Sequence, residues 1–237
     1  GFYFGEESKK VSLSCDMEGA VIYYTTDGST PDENSKLYEG PIEIKDNKPI
    51  RAKAFVEGQL ASDVLTGTFF LNSPYSESCT GTDLPVVSLV TDDTFLNDDQ
   101  IGICVMGKNG VQGASSCVMA KANYNRDWSR PATFEYFEDG DLKCSQKVEI
   151  SVTGGCSRMD SYKTKSLKMK ASKKTGNNRF DYTKFFKEKS FKELKSIQIR
   201  NGGNGYGTLR CRDGFMQSLC KGLGIDYQSY QPVAYYI

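Results

Sequence analysis

Two stretches of this chain hold cationic and flexible residues close enough to do chemistry: VEISVTGGCSRMDSYKTKSLKMKA (148–171) and SIQIRNGGNGYGTLRCRD (196–213). They read as a strand, a Gly-Gly turn, a Lys-rich strand, and another strand that feeds a Gly-rich loop and a helix. Backbone N–H groups at such turns and at a helix N-terminus collect negative charge, and nearby Lys and Arg neutralise it, so this order suits a pocket for an anionic ligand. In KTKSLKMKA, strand alternation puts Lys165, Leu167 and Met169 on one face and Ser166, Lys168 and Lys170 on the other. Lys165 then either meets phosphates as a point charge or sits at a strand end and snorkels to water. Gly154 and Gly155 can take positive φ and let backbone approach a ligand, and Arg158 can clamp a phosphate bidentately. A Gly-Gly hairpin turn needs no ligand to explain it. NGGNGYG lacks the Lys-Ser/Thr of a Walker loop and the spacing of a dinucleotide fingerprint. It reads more strongly as a structural strand-to-helix turn, with Arg212 and Asp213 pairing within the fold or orienting a neighbour.

Other chemistries lack their parts. The chain has no histidine, which removes Ser-His and Cys-His pairs and the usual general base. The cysteines at 15, 79, 104, 117, 144, 156, 211 and 220 include no CxxC pair, so no metal site is expected. An even count permits disulfides. Cys104 with Cys117 can close the GKNGVQGASS loop, although buried free thiols fit equally well. Asp92, Asp93, Asp98 and Asp99 lack calcium-loop spacing and read as turn and cap residues.

Formal charge is zero over 237 residues, but it is unevenly placed. Residues 1–80 carry 7 basic and 13 acidic side chains, and 81–237 carry 23 and 17. From Arg158 to Arg200 there are 14 Lys and Arg against 4 acids, either a field for phosphates and acidic surfaces or a solvated face. No nucleic-acid partner is expected. No apolar run is long enough for a membrane span, and GFYFGEE lacks a signal-peptide pattern. The abrupt start and the PVAYYI end read as cuts in a longer protein. That aromatic strand is expected as a sheet edge or an apolar patch that invites dimerisation.

Residues 1–72 read as short strands, VSLS, VIYYTTDGSTP, PIEI, IRAKAFVEG and VLTGTFFL, punctuated by turn residues. They predict an all-β immunoglobulin-like sandwich. Polar 73–83 suits a linker. Residues 84–237 read as α+β. LPVVSLV is a buried strand, and DDTFLNDDQ a turn or short helix start. PATFEYFE is a strand with Ala132, Phe134 and Tyr136 on one face and Thr133, Glu135 and Phe137 on the other. DGDLK closes a hairpin into QKVEISV. TLRCRDGFMQSLCKGLG places Leu209, Met216, Leu219 and Leu223 near a 3.6-residue period, with Gly222 or Gly224 ending the helix.

VIYYTTDGSTP, followed by LYEGPIEI and IRAKAF, resembles the immunoglobulin-like module at the C-terminus of chitobiases and hexosaminidases, often fused to other bacterial extracellular domains. The resemblance implies an extracellular or cell-surface setting, in which Tyr23, Tyr24 and Tyr38 form a sugar platform or serve the core. Further on, LPVVSLVTDD (84–93), NYNRDWSRPATFEYFEDG (123–140), GGCSR (154–158), KSLKMKA (165–171), RFDY (179–182), IRNGGN (199–204) and the Arg212, Asp213 pair occur in an order that resembles the CotH family of atypical protein kinases. That resemblance implies a partial kinase-like domain in which Lys165, Arg158, Gly154 and Gly155 face ATP. The family's catalytic and Mg²⁺-binding aspartates follow an Asn-Gly-Glu-Tyr-Trp-Gly type turn that would come after Ile237. No Asp-Phe-Gly or kinase catalytic-loop motif is present. These residues are therefore expected to form one wall of an ATP site, silent on their own, in a kinase whose protein substrate is open. The alternative is a non-enzymatic surface module that binds glycans or protein partners through the sandwich or the basic face.

Overall fold

Six short strands form from the first 70 residues: β1 (Lys9–Val11), β2 (Val21–Thr25), β3 (Lys36–Leu37), β4 (Ile42–Ile44), β5 (Lys48–Phe55) and β6 (Leu65–Phe69). The computed structural model describes residues 1–3, 6–71, 84–111 and 121–237. The candidate linker at 73–83, Cys79 and Cys117 lie outside these residues. β1 pairs with β4, while β3-β2-β5-β6 form a second antiparallel sheet. In β4 the IEI triplet alternates buried, exposed, buried, as a strand with one covered face must. Ile42 and Ile44 join Ile50 and Leu71 in a core packed by Val11, Leu13, Tyr24, Tyr38 and Phe69. The first part of the chain is thus the sandwich that its patterning predicts.

The later strands are β7 (Val86–Val90), β8 (Arg130–Glu138), β9 (Asp141–Thr153), β10 (Ser166–Lys170), β11 (Ser196–Ile199) and β12 (Ala234–Tyr236). Two short α-helices accompany them, α1 (Asp93–Asn97) and α2 (Arg212–Ser218). The chain is therefore mostly β. No helix among the described residues is long and apolar enough to cross a membrane. Contacts divide the chain into unit 1 (Gly1–Asp92, Glu135–Ser145, Ala234–Ile237) and unit 2 (Asp93–Phe134, Gln146–Val233).

In unit 1, all five residues of β7 are buried, and β12 runs parallel beside it with Ala234 opposite Val86 and Tyr236 opposite Ser88. PVAYYI supplies this added strand, and Tyr236 packs on Phe70 with ring centroids 5.1 Å apart. Phe70, Val86 and Phe137 form a second apolar cluster there. The β8–β9 hairpin turns at Asp139 and Gly140, both at positive φ (54° and 82°), which matches the strand twist as a type I′ turn does. Both faces of the alternating strand β8 are covered, because every residue from Ala132 to Phe137 is buried. The face shared by Thr133 and Phe137 includes Glu135, only 1% exposed. The Thr68 hydroxyl donates to the Glu135 carboxylate at 2.5 Å and lies 2.8 Å from Ser88 Oγ. Burial pushes the Glu135 carboxyl above its ordinary range, partly offset by the Thr68 hydrogen bond.

In unit 2, β10 lies between β9 and β11, with Met169 opposite Ile150 and Leu167 opposite both Val152 and Ile199. Leu167, Met169 and Ala171 point inward, and Lys170 is exposed. Phe134, Phe180 and Phe185 meet edge to face with centroids 5.5 to 5.8 Å apart. The helix predicted from TLRCRDGFMQSLCKGLG is shorter than expected: α2 ends at Ser218, not at Gly222 or Gly224. Leu209, Met216, Leu219 and Leu223 do not face a core and are 53%, 55%, 54% and 66% exposed. The buried face of α2 is Gly214, where a Cβ would come within 2.5 Å of the Tyr230 ring. The helix packs through its glycine, and Met216, the one of these four residues within α2, falls on the exposed side.

The raised Glu135 titration has a definite sign. Between the ordinary value of 4.5 and its higher folded value, the folded chain holds more protons than the unfolded chain, so stability falls as pH rises. In urea unfolding from pH 4 to 8, the wild type should lose roughly 1.4 kcal/mol for each pH unit by which this titration is displaced. Glu135→Gln should flatten that slope. An unchanged slope would show that Glu135 titrates as it does in the unfolded chain.

Candidate functional site

Lys165 immediately precedes β10 and continues its inward parity. Its side chain is buried, 7% exposed, and does not snorkel to water. The ammonium donates to the carbonyl oxygens of Met159 at 2.6 Å and Tyr162 at 2.7 Å, and it stands 5.4 Å from the centroid of the Tyr124 ring. An ammonium has three N–H donors, so one remains without an oxygen acceptor among the described residues. Lys165 lines a cleft of about 410 Å³ within unit 2, together with Lys163, Asp160, Asp99, Asn97 and Cys104. Burial lowers the proton affinity of Lys165, with Asp160 acting in the opposite direction. The Cys104 thiol is pushed up to about 11, chiefly by burial, and stays protonated at neutral pH.

What positions this lysine is a residue quoted within the IRNGGN motif but given no role by the sequence. Asn201, 4% exposed, follows β11. Its amide nitrogen donates to the carbonyls of Ser157 (3.2 Å) and Thr164 (2.8 Å). Its amide oxygen accepts from Ser166 Oγ (2.9 Å) and from the Gly203 N–H (2.9 Å). The Asn201 backbone N–H also donates to Ser166 Oγ at 3.0 Å. One side chain thus joins the GGCSR segment, the residues on either side of Lys165, and the Gly-rich loop. The only sequence signal was an Asn at the point where a strand meets a Gly-Gly pair, which is common to many turns.

The other candidates divide around this hub. The Gly-Gly pair is not a tight hairpin turn. It opens a longer connection, residues 154–165, between paired Thr153 and Ser166. Gly154 has φ 108° and a Cβ there would meet Ser157 Oγ at 2.6 Å, whereas Gly155 has φ −106°. Arg158 closes the following 3-10 turn and keeps its Nε–H buried with no acceptor. Gly154, Gly155 and Arg158 are not among the described residues lining the Lys165 cleft. They touch Lys165 through the backbone, because its acceptor Met159 directly follows Arg158. Arg212 and Asp213 each find a partner within the fold: Asp213 pairs with Arg200, and Arg212 donates to Thr208 Oγ1 at 3.2 Å. The NGGNGYG loop spends its amides internally, Gly203 on Asn201, Gly205 on Gly202 and Tyr206 on Gly203. It is a structural turn.

The acids mostly fill turns. Asp98 accepts from the N–H groups of Gln100 and Ile101, Asp93 from Asn97, and Asp92 from the Thr30 N–H. Among the described residues no group of three or more Asp, Glu, Cys or His could hold a metal ion. Cys104 is a free thiol, so of the two alternatives that the sequence left open the bridge to Cys117 is excluded. Cys156 is disulfide-bonded instead, while Cys15, Cys144, Cys211 and Cys220 are also free. In the sandwich, Tyr24 and Tyr38 pack on the core, and Tyr38 Oη accepts from the Leu13 N–H at 3.0 Å. Tyr23 meets Phe55 edge to face at 5.6 Å. The three tyrosines do not build a common platform.

Residues 1–66 match the family model of the chitobiase/beta-hexosaminidase C-terminal domain. No curated protein and no solved structure matches the chain. The family match supports the immunoglobulin-like reading of the first module.

Asn201→Ala should lower stability by roughly 2–4 kcal/mol, several buried hydrogen bonds at about 1 kcal/mol each. Asn201→Asp should do no better at neutral pH, because it is nearly isosteric but turns a carboxylate toward the Ser157 and Thr164 carbonyls. Urea unfolding and hydrogen exchange at the Gly203 amide report both. A change under about 0.5 kcal/mol, typical of a surface position, would remove Asn201 from this role.

Proposed function

We propose that unit 2 carries the phosphate-facing wall of a nucleotide site of the CotH kinase type, with ATP as its ligand. The observation that carries this reading is Lys165: a buried ammonium held by two carbonyls, with one donor left over among the described residues, at the wall of a cleft of about 410 Å³. Buried lysine in low dielectric interacts with a phosphate far more strongly than the exposed lysines of the same run. Lys163 adds a second cation to the cleft lining. The order of the GGCSR, KSLKMKA and IRNGGN motifs supports the reading too, since Asn201 ties these three segments to one another.

Magnesium fits this cleft only as a companion of the nucleotide. Its described lining offers two carboxylates, Asp99 and Asp160, and Mg²⁺ is commonly bound by one or two carboxylates plus substrate phosphates. When bound, the ion would neutralise phosphate charge. The residues of this chain would orient the phosphates and hold them against Lys165. An extracellular or cell-surface setting is part of the proposal. The domain type of residues 1–66, named for chitobiase and beta-hexosaminidase, and a disulfide at Cys156 both support it.

Isothermal titration of the 237-residue chain with ATP, with and without Mg²⁺, tests the site. Lys165→Ala and Lys163→Ala should each weaken binding about tenfold or more, and Lys173→Ala, exposed and outside the cleft, should leave it unchanged. No ATP binding by the wild type, or equal losses in all three variants, would contradict a placed phosphate site.

A further inference from the structure

Both oxygens that hold the Lys165 ammonium come from the connection between β9 and β10, and that connection is tied down at few places. Its 3-10 turn spans Cys156–Arg158. The Cys156 carbonyl accepts from the Met159 N–H at 3.2 Å, and the Met159 carbonyl accepts from the Tyr162 N–H at 2.9 Å. From outside the connection, Asn201 reaches the Ser157 and Thr164 carbonyls, and Tyr206 Oη accepts from the Thr164 N–H at 3.3 Å. Met159, the acceptor nearest the turn, therefore depends on how the turn itself is held.

Cys156 gives that turn a covalent anchor. It is disulfide-bonded, whereas Cys15, Cys104, Cys144, Cys211 and Cys220 are free. Among the described cysteines, a reductant changes this one alone. Cys156 is also exposed, and exposed disulfides form the readily reduced, regulatory class.

We propose that the Cys156 disulfide is a redox switch on the Lys165 wall. Oxidised, it holds the turn that presents the Met159 carbonyl to the ammonium, and reduced, it lets the connection open. The reductant is a dithiol. One of its thiolates attacks the disulfide and forms a mixed disulfide as the first protein sulfur leaves; its second thiol then displaces the other protein sulfur. Two electrons and two protons pass to the protein, which gains two thiols while the dithiol becomes a disulfide. The switch assembles the wall in an oxidising compartment and loosens it in a reducing one. Its consequence for ATP rests on the nucleotide reading, but the opening of the connection does not.

Amide hydrogen exchange of the 237-residue chain, resolved by NMR with and without dithiothreitol, tests the switch. Reduction should speed exchange at Tyr162 by about tenfold or more and leave Leu167 and Met169 in β10 unchanged, the mark of local opening. Cys156→Ser should match the reduced wild type without reductant and should not respond to it; the wild-type comparison stands should this variant fail to fold. ATP affinity, titrated on the same samples, should fall about tenfold on reduction. Unchanged exchange at Tyr162 overturns the proposal. An equal rise at Leu167 and Met169 also overturns it, because the disulfide would then be a staple of the whole fold. Faster exchange at Tyr162 with undiminished ATP affinity severs the switch from the cleft and overturns it too. Absence of ATP binding by the oxidised chain contradicts the nucleotide reading alone, and exchange at Tyr162 then decides the switch.

Discussion

The side-chain amide of Asn201 is the constraint on which the Lys165 cleft depends. It binds the Thr164 carbonyl and the Ser166 hydroxyl, the two residues that flank Lys165. The backbone of the lysine is thereby pinned on both sides before its own ammonium makes any contact. The same amide holds Ser157 in the Gly-Gly connection and Gly203 in the loop after β11. Buried networks of this kind are worth most when every member is satisfied, because low dielectric strengthens each bond and penalises each gap. Lys165 extends the network with its bonds to Met159 and Tyr162. Its burial is tolerable because the neighbouring connection curls two carbonyls toward it.

Local patterning announced β10 well. Alternation in KSLKMKA assigned Leu167 and Met169 to the interior and put Lys165 on their side, and the structure buries all three. The Asp-Gly hairpin and the sandwich strands were legible for the same reason, since period-2 patterning and turn chemistry act over a few residues. Asn201 was not legible, because its partners lie 35, 37 and 44 residues away and no periodicity encodes them. Glu135 escaped for a related reason. Alternation set it on a face with Thr133 and Phe137, but that β8 is covered on both faces is a property of the sheet and not of the strand.

The misread helix has a single physical cause. Leu209, Met216, Leu219 and Leu223 recur near the helical period, and periodicity normally names the buried face. Here Gly214 accepts the Tyr230 ring, and a glycine contributes nothing to a hydropathy pattern. The face that packs by close approach of backbone to ring was therefore invisible, and of the residues that carried the periodic signal only Met216 lies within α2. The same close approach leaves the neighbouring Phe215 exposed.

Burial sorts the basic run more sharply than charge does. Lys170, Lys173, Lys174, Lys184, Lys187, Lys192 and Lys195 are exposed, whereas Lys165 is buried. Exposed pairs such as Arg179 with Glu193, or Lys221 with Glu188, are worth about 0–1 kcal/mol and weaken with salt. They set a field over the surface without fixing a ligand's position. A desolvated cation with an unused donor discriminates between ligands, because the wrong one leaves its charge unpaired. Arg158, whose Nε–H is buried without an acceptor, poses the same demand one residue from the carbonyl that holds Lys165. Arg51 in the sandwich also leaves Nε unpaired, yet its Nη1 is spent on Gly28 and Thr30, which accounts for that guanidinium within the fold. Among the described residues no acceptor reaches the Arg158 Nε–H, so of the two arginines it is the one whose burial the fold leaves without an internal account.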